Sequence, residues 1–179
     1  MALSDPLAQQ VLRITKLAGD KIMAIYEKDF AIYEKQDTSP LTEADLAAHH
    51  VIVDELKAIS ELPILSEESA DIAWEERQSW QQYWLVDPLD GTKEFINKRT
   101  DFTVNIGFID KSAPVSGIVY APALNRLFFT LHNKAYETNI APDDKIIDDI
   151  DMLYSTLSKA KAIHVRPKPD DGLVVVASR

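Results

Sequence analysis

The apolar residues of this chain change period partway along it, and that change limits the fold more than any single motif does. Leu7, Val11, Ile14, Leu17, Ala18, Ile22 and Ile25 follow steps of three and four, the stripe by which a long helix buries one face. Ser4 suits its N-cap, and Asp5 and Pro6 suit its first turn. A polar stretch from Glu34 to Pro40 breaks the stripe, and Thr42 opens a second helix with Leu46, Val53, Leu56 and Ile59 on its inner face. The two helices are expected to pack together. From Thr103 the period is two: Val104, Ile106 and Phe108 alternate with polar or small neighbours. Further strands are expected at 115–120, 126–131 and 135–138, separated by Pro, Asn and Gly signals. Helices followed by an antiparallel meander predict an α+β layered domain and argue against a doubly wound parallel sheet. The acidic stretch 143–151 reads as a solvated helix or loop, and 173–177 as one more apolar strand.

Between these halves, Pro63 ends the helical region, and Ile64 and Leu65 form a short strand running into Ser66, Glu67 and Glu68. Trp74, Arg77, Gln78 and Gln81 sit at helical spacing. Tyr83, Trp84, Leu85 and Val86 then read as a buried strand.

Composition closes several routes. The 179 residues contain no cysteine, which removes thiolate nucleophiles, disulfides and cysteine-ligated zinc or iron–sulfur sites. With 19 basic and 29 acidic side chains the net charge is −10, and a pI near 4.8 disfavours a nucleic-acid polymer as partner. No apolar run reaches the roughly 18 residues of a membrane helix, and Ser4, Asp5 and Pro6 stand where a signal peptide would carry basic then apolar residues. The expectation is a soluble, cytoplasmic protein without an integral membrane segment. If so acidic a chain handles phosphate, it needs cations.

The chemistry concentrates in WLVDPLDGTKEF, from Trp84 to Phe95. A buried strand delivers Asp87, Pro88 fixes the next φ, and Asp90, Gly91 and Thr92 lead into a helix. Two carboxylates this close repel each other unless a cation lies between them, and the free carbonyl of Leu89 completes a hard-oxygen set suited to Mg²⁺. The amides of Gly91 and Thr92 at the helix start form a cradle for phosphate. Asp-Pro-x-Asp-Gly is also good turn chemistry, so the motif has a purely structural reading as well. Aspartyl-phosphate enzymes place two aspartates two residues apart; the residue two before Asp90 is Pro88, so that chemistry is excluded here.

Two other segments are acidic in the same way. In SPLTEAD, Thr42 and Asp45 have capping-box spacing, and a carboxylate in the first turn of a helix is held rigid and kept ionised by the dipole. In LSEES, Glu67 and Glu68 close a short apolar strand, either as solvated loop or with Glu67 as a metal ligand.

Together, SPLTEAD, LSEES and WLVDPLDGTKEFI resemble the inositol monophosphatase-like superfamily of Mg²⁺-dependent, lithium-sensitive phosphatases. Lys93 and Glu94 make the chain more similar to its bacterial 3′(2′),5′-bisphosphate nucleotidases. The resemblance implies a layered α/β sandwich of the sugar-phosphatase type, whose N-terminal portion has two packed helices and a largely antiparallel sheet. It implies that Glu67, Asp87 and the Leu89 carbonyl hold a first Mg²⁺, that Asp90 and Asp87 share a second, and that a third, weaker ion contacts Glu67. Mn²⁺ is a possible substitute and Li⁺ an inhibitor. Thr92 and Asp45 would activate the attacking water, with Glu67 also in the catalytic set, while Asp90, Gly91 and Thr92 would receive the phosphate. The implied reaction is in-line hydrolysis of a small phosphorylated molecule, the 3′-phosphate of adenosine 3′,5′-bisphosphate, without a covalent intermediate. An inositol or sugar monophosphate is the alternative substrate.

The superfamily also has a second α/β layer with a Trp-Asp motif, and no Trp follows Trp84 here. Residues 1–179 are therefore expected to be the N-terminal portion of the domain, with the C-terminal portion absent. A catalytically silent metal-binding fragment is then the third reading, and the strand at 173–177 would favour self-association or a missing partner segment. Among other residues, His49 and His50 fall on the second helix, His132 near a hairpin and His164 in a strand, none with a partner spaced for zinc. Trp74, Trp80 and Trp84 read as core and edge packing, and Lys93 as an exposed helix lysine within reach of a phosphate. Asp143, Asp144, Asp148, Asp149 and Asp151 lack the spacing of a calcium-binding EF-hand.

Overall fold

A computed structural model describes residues 5–34, 40–69, 72–140 and 158–167. The Ser4 cap, the acidic stretch 143–151 and the strand at 173–177 lie outside the described residues. The first stripe forms α1 (Asp5–Tyr26), and a small antiparallel pair follows, β1 (Ile32–Glu34) with β2 (Pro40–Thr42). Next come α2 (Glu43–Ile59), β3 (Ile64–Ser66), α3 (Trp74–Arg77), β4 (Gln82–Asp90) and α4 (Thr92–Ile96). The meander is β5 (Thr103–Asp110), β6 (Ala113–Ala121), β7 (Arg126–Leu131), β8 (Lys134–Asn139) and β9 (Lys161–Ile163).

Strands β3 to β9 make one seven-stranded sheet in chain order, antiparallel throughout except that β3 runs parallel to β4. Helices α1 and α2 pack on each other and on one face of this sheet, α1 against β5 and β6 and α2 against β4. The core lies in that layer. Val11, Ile14, Ala18 and Ile22 of α1 and Ala48, Ile52 and Leu56 of α2 meet Trp84, Val86, Ile106 and Tyr120 from the strands. Gly19 sits where a Cβ would run into the Tyr120 ring, so its lack of a side chain lets α1 approach β6 closely.

Several expectations change in detail. The buried stripe of α2 is Ala44, Asp45, Ala48, Ile52 and Leu56, whereas Leu46, Val53 and Ile59 are only half-buried. The helix is turned so that Asp45 faces inward. The helical run expected from Trp74 to Gln81 ends at Arg77, and Trp74 is exposed while Trp84 is buried. His164 follows β9 and lies outside any strand. Strand β4 is buried on one face only: Trp84 and Val86 point into the helical layer, and Leu85 on the other face is 45% exposed.

Strand β4 also does not turn at Asp87. It continues to Asp90 through a bulge, in which Asp87 pairs with Asn105 and Asp90 with Thr103. Two residues, Pro88 and Leu89, therefore stand opposite the single Val104, and both are buried. Proline is tolerated there because the ladder is already interrupted.

Ile52 is fully buried between the helices and the sheet, so Ile52→Ala is expected to cost about 2–5 kcal/mol. Urea unfolding measures that loss. A cost within about 0.5 kcal/mol would place this residue outside the core.

Candidate metal and phosphate site

Because β3 and β4 run parallel, their carboxyl ends lie at the same edge of the sheet. Ser66 pairs with Val86, and the Glu67 amide donates to the Val86 carbonyl at 3.0 Å, which carries Glu67 alongside Asp87. The Glu67 carboxyl beside Asp87 favours the protonated form of Asp87. Burial, followed by the charges of Glu67 and Asp90, pushes Asp87 from the ordinary 3.8 up to about 7. Its Oδ1 is buried and has no hydrogen-bond partner.

The bulge brings in Asp90. On a regular strand, residues three apart point to opposite faces; the extra residue in β4 places Asp87 and Asp90 opposite Asn105 and Thr103, which share one face of β5. Asn105 Nδ2 donates to Asp90 Oδ2 at 3.3 Å, and Thr103 Oγ1 donates to Asn105 Oδ1 at 3.0 Å. The hydroxyl thereby sets which end of the amide faces Asp90. Asp90 is exposed and tied to Asn105, so it contributes charge to Asp87 without joining a tight cluster. Among the described residues, no three acidic or histidine side chains are gathered closely enough to hold an ion by themselves.

A second pair adjoins this one. Thr42 caps α2 in a complete capping box: its hydroxyl accepts from the amides of Ala44 and Asp45, and its amide donates to Asp45 Oδ2 at 2.8 Å. That leaves Asp45 Oδ1, which accepts from the Thr92 hydroxyl at 3.2 Å. Thr92 Oγ1 also lies 3.1 Å from the Leu89 carbonyl oxygen, so its single proton serves two acceptors, and that carbonyl keeps a second lone pair. Asp45 is 1% exposed, and burial raises its carboxyl above the usual range while hydrogen bonds from Thr42 and Thr92 draw it back. Desolvation is the largest of these effects, so the expected hold of the helix dipole on Asp45 works against a burial cost.

Gly91, between Asp90 and Thr92, has φ of 92°, and a Cβ there would meet the Asp101 carbonyl oxygen at 2.7 Å. This conformation starts α4, and no side-chain hydrogen bond caps it at Gly91. Because α4 has only five residues, a bound anion would be held by its first amides and little by a macrodipole. Lys93 is exposed on the same helix.

The structure thus sets Glu67 and Asp90 near Asp87 at the carboxyl ends of β3 and β4, and Asp45 against Thr92 at the start of α4, with Leu89 and Gly91 between. Their chemistry fits a divalent cation: hard oxygens, excess negative charge and an orphaned buried carboxylate oxygen at Asp87. Asn105 and Thr103 escaped the sequence reading, because only the register of β5 against the bulge aligns them with the aspartates. A cleft of about 950 Å³ runs from Glu67 and Asp87 over Gly107, Gly117 and Val119 on the sheet face opposite the helices.

This fold and site define a class. Residues 4–149 match the inositol monophosphatase family, and the chain belongs to that family. The 3′(2′),5′-bisphosphate nucleotidase CysQ of Salmonella typhimurium is 48% identical over 134 residues, covering 73% of this chain and 54% of the relative. The enzyme of the same name from Haemophilus influenzae is 38% identical over 132 residues, covering 73% and 49%. The chain spans about half the length of these curated relatives. The crystal structure of CysQ from Bacteroides thetaiotaomicron superposes with a TM-score of 0.76 at 35% identity, over 92% of this chain and 60% of that one. An inositol monophosphatase from Thermotoga maritima shares the fold, with a TM-score of 0.64 at 23% identity over 75% and 51%. No described helix is long and apolar enough to cross a membrane.

The Asp87 carboxyl, at about 7 when folded and 3.8 ordinarily, binds a proton in the folded chain that the unfolded chain has released. Between those values, metal-free stability therefore falls as pH rises. Asp87→Asn is expected to remove that slope and to stabilise the metal-free protein at pH 8 by about 1 kcal/mol or more. Thermal unfolding across pH in chelator checks it; a variant less stable than the parent at pH 8 would contradict the assignment.

Proposed function

We propose that this chain carries the acidic centre of a Mg²⁺-dependent phosphomonoesterase, and that the reaction is hydrolysis of the 3′-phosphate of adenosine 3′,5′-bisphosphate to AMP and phosphate. The observation that carries the reading is Asp87. A half-buried carboxylate facing the charges of Glu67 and Asp90, with one buried oxygen unpartnered, is costly to keep in a fold unless a cation offsets it. The nucleotide substrate is supported by the nucleotidases at 48% and 38% identity.

Glu67, Asp87 and the Leu89 carbonyl would hold one divalent ion, and Asp87 with Asp90 a second; a third, weaker ion would touch Glu67. When bound, these ions supply charge neutralisation of the anionic ester and lower the barrier to its attack by water. The remaining work belongs to the chain. The Thr92 hydroxyl gives its proton to Asp45 Oδ1 in a hydrogen bond, which leaves its oxygen free to accept one from an incoming water and so to orient it. Asp45, raised by burial, is suited to take the proton that the water releases. The amides of Gly91 and Thr92 face the phosphate oxygens on the side of Asp90. The water oxygen bonds to phosphorus as the P–O bond to the 3′-oxygen breaks in line, the leaving oxygen takes a proton from solvent water while Asp45 returns its own to solvent, and no protein atom is phosphorylated.

In an assay of phosphate release, Asp87→Asn and Asp90→Asn are each expected to abolish Mg²⁺-dependent turnover in folded protein. Thr92→Ala and Asp45→Asn should lower kcat by about 10²–10⁴ with a smaller effect on KM. Chelator removes activity, Mg²⁺ or Mn²⁺ restores it and Li⁺ inhibits. Near-normal turnover by the Asp87 variant would refute the reading. Preference for an inositol or sugar monophosphate over the nucleotide would move the substrate and keep the site.

A further inference from the structure

Helix α2 touches the site twice, one turn apart. Asp45 reaches Thr92, and four residues later His49 Nδ1 lies 2.9 Å from the Ser66 hydroxyl. Ser66 is 4% exposed and immediately precedes Glu67. Along a strand, successive side chains alternate, so Ser66 points toward the helices where Glu67 points the other way. The Glu67 amide is already bonded to β4 through the Val86 carbonyl. The end of β3 is therefore held from two directions, by β4 through its backbone and by α2 through one imidazole–hydroxyl hydrogen bond. The half-buried His49 ring is also braced edge-on by His50, with centroids 5.5 Å apart.

We propose that His49 is a positioning residue which, through Ser66, fixes the Glu67 end of β3 against α2, so that the Glu67–Asp87 pair and the Asp45–Thr92 pair keep a set separation. The inference rests on the metal-site reading above. It assigns His49 no contact with substrate or ion and no proton transfer. The bond matters because β3 is only three residues long and, among the described residues, pairs with β4 alone.

The test compares His49→Leu, which keeps bulk and loses the hydrogen bond, with His49→Asn, whose side-chain amide has a polar atom where Nδ1 stands. Ser66→Ala and the His49→Leu/Ser66→Ala double variant complete the cycle. Mn²⁺ binding is read by electron paramagnetic resonance, with kcat and KM alongside. His49→Leu and Ser66→Ala should each weaken Mn²⁺ binding by about 10-fold or more, the double variant should be no weaker than either, and His49→Asn should restore most of the affinity. If the parent binds Mn²⁺ and both single variants bind within about twofold of it, the positioning role is overturned and the metal site stands. If His49→Asn is as weak as His49→Leu, the hydrogen bond is not what His49 supplies, and the proposal fails. Absence of Mn²⁺ binding by the parent would overturn the metal-site reading itself.

Discussion

Repulsion among carboxylates packed at the ends of two strands is the constraint on which the rest of the site depends. On top of burial, the charge of Glu67 beside Asp87 and that of Asp90 beyond the bulge raise the Asp87 carboxyl, and one oxygen of Asp87 is buried without a partner. A fold gains nothing from such an arrangement by itself, since an unpaired buried carboxylate destabilises and apolar residues of similar size would pack there at lower cost. Under the function proposed above, a divalent cation would offset that cost.

Three devices deliver the geometry. Parallel pairing of β3 with β4 sets Glu67 beside Asp87. The bulge at Pro88 and Leu89 brings Asp90 to the same face. The capping box of α2 anchors Asp45 through Oδ2 and leaves Oδ1 for Thr92. Each is a local feature that would be unremarkable alone: a short strand, a bulge and a helix cap. Because the helices pack on β4, β5 and β6 through one continuous apolar layer, the three are held in a common frame.

Much of this was legible in the sequence, and the shortfalls have physical causes. The two helices and the meander follow from changes of period, and β7 matches its expected bounds at residues 126–131. The α+β class follows from the same changes of period, and the family from the resemblance carried by SPLTEAD, LSEES and WLVDPLDGTKEFI. The bulge was not legible, since Asp-Pro-x-Asp-Gly is equally good turn chemistry and only the pairing of β4 with β5 selects the strand. Leu85 was read as buried because an apolar run does not reveal that one face of its strand lacks a covering layer among the described residues. The state of Asp45 depends on the rotation of α2, which places it among buried residues. His49 carried no motif; its relation to Glu67 is set by packing of a helix on a strand seventeen residues away.

Anomalous diffraction from crystals of the protein grown with Mn²⁺ addresses the central claim most directly. The account predicts a manganese peak about 2.0–2.4 Å from carboxylate oxygens of Glu67 and Asp87 and from the Leu89 carbonyl oxygen, with Asp90 swung toward a second peak. Ions bound elsewhere, or those oxygens too widely separated to share one, would contradict it.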